Sequence, residues 1–292
     1  MVAIGDKGYG RELYQGHTSC AGCPATIAIR HVLKATGKNV VVANATSCSE
    51  IFSTAYPTTA WPVPYVHVAF ECVAAVASGI EVALKKQGKD TKVVAIAGDG
   101  GTFDIGLQAL SGMVDRGHDV LYICYSNECY ANTGIQRSSA TPFGASTTTS
   151  PSGRASIGNK TFQKPVDEMM IAQGADYVAT TSVVYPFDIE NKIKKALAIK
   201  GSKFIIIHSP CPLAWRFDSS KTVEIAQLAI DTGMWAMYEH FGGKRTYTIK
   251  PKFKPVEEYL KTQGRFKHLK KEAIEQIQNH VNEYWKKAGL KQ

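Results

Sequence analysis

Two cysteines three positions apart lie in the segment GHTSCAGCPATIAIRHVL, which covers residues 16–33. Cys20 and Cys23 form a CxxC pair, and Pro24 with the apolar run behind it predicts a helix that begins directly after the second thiol. CxxC pairs serve in zinc sites, in iron-sulfur sites and in redox disulfides. The pair alone leaves these three kinds of chemistry open.

Two further cysteines follow predicted strands. Cys48 stands in NATSCSE, after an apolar run at 40–44, and Cys211 stands in HSPCP, after a run at 203–209. A parallel sheet brings the loops behind its strands to one edge, so we predict that both thiols approach the CxxC pair. Four thiolates suit either a [4Fe-4S] cluster or Zn²⁺, and the spacing does not choose between them.

The segment KVVAIAGDGGTFDIGLQALSG predicts a strand, a glycine turn and a helix, and Asn127 ends the next apolar run. Asp99 and Asn127 are therefore expected at the carboxyl ends of two nearby parallel strands, where a carboxylate, an amide oxygen and a backbone carbonyl can share Mg²⁺ with a diphosphate. A helix that begins near Asp104 would point its positive end at that diphosphate. The residues predicted to let the backbone approach the diphosphate closely are Gly98, Gly100 and Gly101.

A GDG triplet alone is also compatible with an ordinary strand-to-helix turn. The 26 residues between this triplet and Asn127 make the pattern more specific, and it is similar to the thiamine diphosphate motif of thiamine-dependent enzymes. Beside thiamine diphosphate, which stabilises a carbanion next to a carbonyl group, a redox cluster could take up electrons and zinc could not. The two motifs together therefore favour a [4Fe-4S] cluster for the four cysteines.

The order of apolar and amphipathic runs predicts an α/β fold. Apolar runs suited to strands buried on both faces are 40–44, 65–70, 92–98, 119–127, 175–180 and 203–209. Runs with helical spacing lie at 24–36, 71–87, 104–116, 165–173, 186–199 and 221–240. This alternation predicts a doubly wound, mainly parallel sheet, whose ligands bind beyond the carboxyl ends of the strands.

The composition indicates a globular protein. Of the 292 residues 44% are apolar, and polar residues interrupt the longest apolar run, at 63–80, so we expect a sizeable core and no membrane span. The first 16 residues lack the features of a secretion signal, so we expect a cytoplasmic protein whose seven cysteines stay reduced. The net charge of +9 favours acidic partners, but no nucleic-acid-binding module surrounds the lysines, so we expect no nucleic acid partner.

Several longer motifs together resemble the beta, thiamine-binding subunits of pyruvate:ferredoxin oxidoreductases, also called pyruvate synthases, in the 2-oxoacid:ferredoxin oxidoreductase family. The resemblance covers nearly the whole chain. It rests on GHTSCAGCPA, NATSCSEIF, HVAFECVAAVASGIE, AGDGGTFDIGLQALSG, YICYSNECYANTGIQRSSATPFGA, HSPCPLAW and VEEYLKTQGRF. Some relatives carry Gly where this chain has Pro24 and Ser47, and these changes leave the implied ligands intact.

The resemblance implies a set of site residues. The ligands of the [4Fe-4S] cluster closest to thiamine diphosphate would be Cys20, Cys23, Cys48 and Cys211. Asp99, Asn127 and the backbone carbonyl of Cys129 would hold Mg²⁺. Asn132, in the turn YANTG, would lie over the reacting thiazolium ring and the substrate as a catalytic residue. The implied cofactor-binding residues also include Ser47 and Thr133.

The resemblance also implies a reaction and partners. Pyruvate, coenzyme A and two oxidised ferredoxins would give acetyl-CoA, CO₂ and two reduced ferredoxins, reversibly. The partners would be alpha, gamma and delta subunits or their fused equivalents, and ferredoxin. The alpha subunit would supply the glutamate that contacts the aminopyrimidine ring, and because this chain has no CxxCxxCxxxCP run, another subunit would carry the ferredoxin-like relay. A sibling enzyme acting on oxalate, 2-oxoisovalerate or another 2-oxo acid, and a structural zinc protein without redox chemistry, are the alternatives.

We divide the chain into a thiamine diphosphate-binding domain with the [4Fe-4S] site, at 1–243, and a C-terminal arm, at 244–292. The arm has too few apolar residues for an independent domain, so we expect it to pack on a partner subunit. The segment 128–163 exceeds ordinary loop lengths and is expected to cover the active site. Within it, Gln136 and Arg137 are candidates for contacts with a diphosphate or with the substrate carboxylate.

Overall fold

A central mixed sheet organises the fold. The computed structural model describes residues 17–55 and 57–290, so the N-terminal stretch considered above for a secretion signal lies outside the described residues. In chain order the strands are β1 (Val40–Ala45), β2 (Tyr65–Val68), β3 (Lys92–Gly98), β4 (Val120–Ser126), β5 (Ser152–Gly153), β6 (Ser156–Ile157), β7 (Tyr177–Ser182), β8 (Lys203–His208), β9 (Met237–Phe241) and β10 (Lys244–Ile249). The helices are α1 (Pro24–Thr36), α2 (Cys48–Ser53), α3 (Val73–Lys86), α4 (Leu107–Asp115), α5 (Val166–Ala172), α6 (Pro186–Ala198), α7 (Pro212–Trp215), α8 (Thr222–Asp231), α9 (Val256–Leu260) and α10 (Lys271–Lys287).

Parallel strands form the centre of the sheet, in the order β2-β1-β3-β4-β8-β7, and β9 with β10 adds an antiparallel edge beside β7. The predicted doubly wound, mainly parallel sheet is confirmed. The winding direction reverses between β1 and β3, which is where such sheets bind ligands. Strands β1, β3, β4 and β8 are neighbours and run parallel. The four loops that follow them, which carry candidate site residues, therefore lie together at the carboxyl ends of these strands.

Helices cover both faces of the sheet. Helices α1 and α6 pack on one face, against side chains that include Val94 and Ile205. Helices α3, α4 and α5 pack on the other face, against side chains that include Val93 and Phe204. Both faces of the central strands β1, β3, β4 and β8 are covered, so most of their residues are apolar, which explains why these strands stand out in the sequence as nearly continuous apolar runs. All six predicted strands and five of the six predicted helices are present, with ends shifted by no more than three residues.

The predicted helix over 221–240 is wrong in its second half. Helix α8 ends at Asp231, Gly233 turns the chain with a φ of 79°, and Met237–Phe241 forms strand β9 instead. The indole N–H of Trp285 donates to the carbonyl of Gly233 at 2.9 Å, and the ring occupies the space that a side chain at position 233 would need. A contact from the distant helix α10 therefore stabilises the turn that ends α8.

Residues 244–290 pack on the rest of their own chain. Strand β10 pairs with β9, so the predicted boundary between 243 and 244 falls inside a β-hairpin. Helix α10 buries Ile277, Val281 and Trp285 in an apolar cluster that also contains Trp215. Packing of this tail on a partner subunit as well, and the division of the chain at this point, stay predictions. Within the described ranges, no helix has both the length and the apolar character needed to cross a membrane.

Candidate cofactor and metal site

Asp99 lies directly after β3, and its side chain is only 1% exposed. Its Oδ1 accepts a hydrogen bond from the backbone N–H of Asn127 at 3.0 Å, and its Oδ2 accepts one from the hydroxyl of Ser138 at 2.5 Å. Burial raises the pKa of Asp99 from its ordinary value of 3.8 to about 7, although both hydrogen bonds act in the opposite direction. A carboxylate buried in this way gains strongly from a bound cation.

The side-chain amide of Asn127 contacts both this carboxylate and the backbone carbonyl of Cys129. One terminal atom of the Asn127 amide is 2.7 Å from the carbonyl oxygen of Cys129 and 2.9 Å from Asp99 Oδ1. With nitrogen at that position, the amide donates two hydrogen bonds; with oxygen there, the amide oxygen lies next to one carboxylate oxygen and one carbonyl oxygen. Neighbouring oxygens around an octahedral Mg²⁺ ion are about 2.9 Å apart, since each lies about 2.0–2.1 Å from the metal. The residues therefore fit Mg²⁺ in both donor type and spacing.

The turn that links these two residues has an unusual backbone conformation. Glu128 has a φ of 62°, in the left-handed region that residues other than glycine rarely adopt. Such conformations persist only where the surrounding structure holds them, and they are common at functional sites. This turn brings the side chain of Asn127 and the carbonyl of Cys129 to the same side, which the oxygen set requires.

A π-helical turn, Gly100–Ile105, begins directly after Asp99. Helix α4 begins at Leu107, three residues from the predicted start near Asp104, and the glycine-rich stretch before it is already helical. A Cβ atom at Gly100 would lie 2.4 Å from the ring of Tyr130, whose hydroxyl donates to the Asp104 carboxylate at 3.0 Å. Short π-helical stretches often mark functional sites. Of the other glycines predicted to approach a diphosphate, Gly101 lies within this turn and Gly98 ends strand β3 before it.

The predicted cluster cysteines lie mainly at amino ends of helices. Cys23 precedes α1, Cys48 opens α2 and Cys211 precedes α7, while Cys20 is exposed in the loop before α1. Backbone N–H groups near a helix start stabilise negative charge and thus favour a thiolate. All seven cysteines of the sequence are described, and all are free thiols.

Neighbouring thiols add to the raised pKa values of Cys23 and Cys48. Burial is the main reason that the pKa of Cys23 rises from 9.0 to about 11 and that of Cys48 to about 12, and the negative charge of Cys211 raises both further. Ionised cysteines at this place therefore need a compensating positive charge, which a metal centre supplies. No group of three or more His, Cys, Asp and Glu side chains in 17–55 and 57–290 is close enough together for a single metal ion. The choice between an iron-sulfur cluster and zinc for these thiols stays a prediction.

The cysteines and the oxygen set form one region. Burial comes first among the causes that raise the pKa of Cys48, and the charge of Asp99 contributes to it. The pKa of the buried Cys129 thiol is raised mainly by burial and then by the charges of Asp99 and Cys211. The strand order thus brings the loops behind β1, β3, β4 and β8 within electrostatic reach of one another.

The remaining predicted residues lie around this region. Asn132 and Thr133 are exposed in a turn that is closed by backbone hydrogen bonds between Tyr130 and Gln136. Ser47 precedes α2, and its hydroxyl donates to a backbone carbonyl at the end of β1 at 2.8 Å. Contacts of these residues with a cofactor, and the catalytic role of Asn132, stay predictions. The polar side chain of Arg137 is engaged within the loop, where it donates to Asn159 and Thr161.

Four residues that the sequence analysis gave no role contribute to the site. They are Glu128, Ser138, Trp215 and Arg265, which contact Asp99, the Asn127–Cys129 turn or one another. Ser138 follows the turn that contains Asn132, Trp215 ends HSPCPLAW, and Arg265 belongs to VEEYLKTQGRF. The motifs that contain these residues could be found in the sequence. Their contacts with Asp99 and the Asn127–Cys129 turn could not, because spacing along the chain does not show which distant segments pack together.

Comparisons with known proteins identify the family. Residues 36–208 match the family described as thiamine pyrophosphate enzyme, C-terminal TPP binding domain. Pyruvate synthase subunit PorB from Methanothermobacter thermautotrophicus is 53% identical over 272 residues, which cover 92% of this chain and 94% of that protein. The chain belongs to the pyruvate synthase beta-subunit family. The predicted family and the predicted thiamine diphosphate-binding domain are thereby confirmed.

Two further proteins are similar to this chain, one in sequence and one in fold. Ketoisovalerate oxidoreductase subunit VorB from Pyrococcus furiosus is 47% identical over 285 residues, which cover 94% of this chain and 92% of that protein. A chain of 2-oxoglutarate:ferredoxin oxidoreductase from Magnetococcus marinus superposes with a TM-score of 0.60 at 23% identity, over 73% of this chain and 77% of that chain. The latter likeness concerns the fold alone.

The raised pKa of Asp99 predicts how cation binding depends on pH. Without a cation the folded chain keeps Asp99 protonated up to about pH 7, whereas the unfolded chain loses this proton near pH 3.8. The stabilising contribution of this residue is therefore present at low pH and is lost as the pH rises through about 7. Because Mg²⁺ needs the carboxylate, its dissociation constant at fixed thiamine diphosphate should fall by up to about tenfold for each unit that the pH rises toward 7, and level off above it. Calorimetric titrations across this range measure the slope, and a constant value at every pH would contradict the prediction.

Proposed function

We propose that this chain is the catalytic beta subunit of a pyruvate:ferredoxin oxidoreductase. The enzyme converts pyruvate and coenzyme A to acetyl-CoA and CO₂ and passes two electrons to ferredoxin, and it also runs in reverse. One observation carries the proposal: two sets of possible metal ligands lie near each other at the carboxyl ends of four neighbouring strands. The first set is the oxygens of Asp99, Asn127 and Cys129, and the second is the four thiols. A thiamine enzyme that only decarboxylates would have no use for four thiols beside its cation site.

The chain's own residues position and shield the cofactors. Thiamine diphosphate, when bound, supplies a centre that stabilises negative charge next to a carbonyl carbon, and a [4Fe-4S] cluster supplies an acceptor for single electrons. Asp99, Asn127 and the carbonyl of Cys129 would hold Mg²⁺, and the backbone N–H groups of the π-helical turn would hold the diphosphate. The segment 128–163 covers this edge of the sheet with buried residues such as Ser138, which keeps water from the metal ligands.

A complex with other subunits completes this proposal. The relatives are named as subunits, and we infer that this chain assembles with alpha, gamma and delta subunits or with fused equivalents. One of these partners would supply the glutamate for the aminopyrimidine ring, and another would supply the ferredoxin-like relay. Electrons would leave through the cysteine cluster, where Cys20 is exposed and therefore open to a partner. Pyruvate, coenzyme A and ferredoxin are the proposed substrates of the whole enzyme.

The substrate can be tested with the intact complex. We expect ferredoxin reduction to proceed with a kcat/KM at least about tenfold higher for pyruvate than for 2-oxoisovalerate, 2-oxoglutarate or oxalate, since pockets that accept a methyl group exclude larger or charged groups to at least that extent. Omission of coenzyme A serves as the control and should reduce steady turnover strongly. A preference for 2-oxoisovalerate would instead assign the chain to the sibling enzyme, a candidate supported by its 47% identity to VorB.

A further inference from the structure

A buried ion pair joins the C-terminal tail to the metal-ligand turn. Arg265 Nη2 donates to Glu128 Oε2 at 2.6 Å, and both side chains are less than 5% exposed. Glu128 is the residue with the left-handed backbone conformation between Asn127 and Cys129. The other carboxylate oxygen of Glu128 accepts from the side-chain amide of Gln163 at 3.0 Å. The strained turn is thus held through its side chain by a residue that lies outside the matched thiamine domain, 36–208.

Arg265 is itself held in place. Its guanidinium carbon lies 3.7 Å from the ring centroid of Trp215, and its Nε donates to Gln263 Oε1 at 2.9 Å. The backbone carbonyl of Arg265 accepts from the N–H of Ser146 at 2.9 Å, in the loop that covers the site. Charge, stacking and planar hydrogen bonds act together here, a combination that lysine cannot reproduce. The guanidinium group therefore has one defined position.

The indole that stacks on Arg265 also binds the same turn. Trp215 Nε1 donates to the backbone carbonyl of Asn127 at 2.7 Å. Trp215 ends the short helix α7, whose first turn follows Cys211. Arg265 thus fixes the side chain of Glu128, and Trp215, on which Arg265 stacks, fixes the backbone at Asn127. Loss of Arg265 would leave the buried Glu128 carboxylate without its charged partner, in a backbone conformation that is already strained.

We propose that Arg265 is a positioning residue of the cofactor site: through its ion pair with Glu128 it holds the turn that presents the Asn127 amide and the Cys129 carbonyl to Mg²⁺. This inference rests on the proposed function. It gives the C-terminal tail a role inside the cofactor site of its own chain. The effect should appear first in cation affinity, because Arg265 pairs with Glu128, which lies between the two proposed ligand residues.

The test compares Arg265→Met and Arg265→Lys with a matched control in the purified complex. We expect Arg265→Met to raise the dissociation constant of Mg²⁺, titrated calorimetrically at fixed thiamine diphosphate, by about 10–100-fold, the usual effect of losing a residue that orients a metal ligand. Arg265→Lys keeps the charge and should give an intermediate value. The control is Lys203→Met, which removes a buried lysine paired with Asp119 at the opposite edge of the sheet. It should lower the unfolding temperature as well but leave Mg²⁺ affinity within about twofold of the wild type.

A double substitution shows whether Arg265 acts through Glu128. In the Glu128→Gln background, which already lacks the ion pair, Arg265→Met should change Mg²⁺ affinity by no more than about twofold. If Arg265→Met is destabilised like Lys203→Met but binds Mg²⁺ as tightly as the wild type, the positioning role is overturned and the proposed function stands. If the wild-type complex itself binds no Mg²⁺ with thiamine diphosphate, the proposed function fails and the positioning role fails with it.

Discussion

Replacement of Asp99 by Asn should abolish retention of Mg²⁺ and thiamine diphosphate and lower turnover by about a thousandfold or more. Asp99 is the only charged member of the proposed oxygen set, and the several kcal/mol of cation binding energy that depend on this charge have no substitute nearby. The measurement is cofactor content after gel filtration, together with ferredoxin reduction. Asp115→Asn, at an exposed position at the end of α4, is the matched control and should leave both quantities unchanged.

The same variant should affect stability in the opposite direction. Above pH 7 the cation-free wild type buries an ionised carboxylate, whereas the substituted amide is neutral at every pH, so Asp99→Asn should unfold at a higher temperature there. The expected gain in the free energy of unfolding is on the order of 4 kcal/mol, from a pKa shift of roughly three units. Normal cofactor content in Asp99→Asn, or an apo protein of lower stability at pH 8, would show that this carboxylate is not the proposed cation ligand.

Replacement of Cys48 by Ala should remove the iron-sulfur cluster and with it nearly all ferredoxin reduction. Cys48 opens α2, and its thiol lies within electrostatic reach of Cys23, Cys211 and Asp99. Without it the cluster would have three ligands, and electrons could no longer leave by this route. Anaerobically purified enzyme should therefore lose its broad visible absorption and its low-temperature EPR signal on reduction, while thiamine diphosphate content stays near that of the wild type.

The matched control for this experiment is Cys72→Ala. Cys72 is also a partly exposed cysteine that lies directly before a helix, but it is not among the four proposed ligands. Its replacement should leave the visible spectrum and the iron content unchanged. A colourless wild-type protein with one zinc ion per chain would contradict the electron-transfer role, and unchanged spectra in Cys48→Ala would remove this residue from the ligand set.

The secondary structure was largely predictable because the sheet is covered on both faces. Strands buried in this way are continuous apolar runs, so β1, β3 and β8 could be found from the sequence alone. The prediction was wrong where a distant contact decides the local structure. Helix α8 ends early at a turn that Trp285 supports from the last helix, and the apolar run beyond it becomes strand β9.

The residue types at the site were also visible in the sequence. An aspartate in a glycine turn, an asparagine at the end of the next strand and a CxxC pair have definite chemistry wherever they occur. Their neighbours in space were not visible, because β8 is inserted between β4 and β7 and thereby brings Cys211 beside the turn that follows β4. Strand order depends on the packing of whole layers, which no local pattern records.

The sequence by itself therefore determined the fold class, the family and the groups that can do chemistry. Only the tertiary structure decided that the oxygens of Asp99, Asn127 and Cys129 meet and that Arg265 supports them from the C-terminal tail. The physical reason is that a donor set and a buried ion pair depend on distances of about 3 Å between residues far apart in the chain. Residue type and spacing in the sequence show which groups could come together, but the tertiary packing of the helices and strands determines how far apart they are.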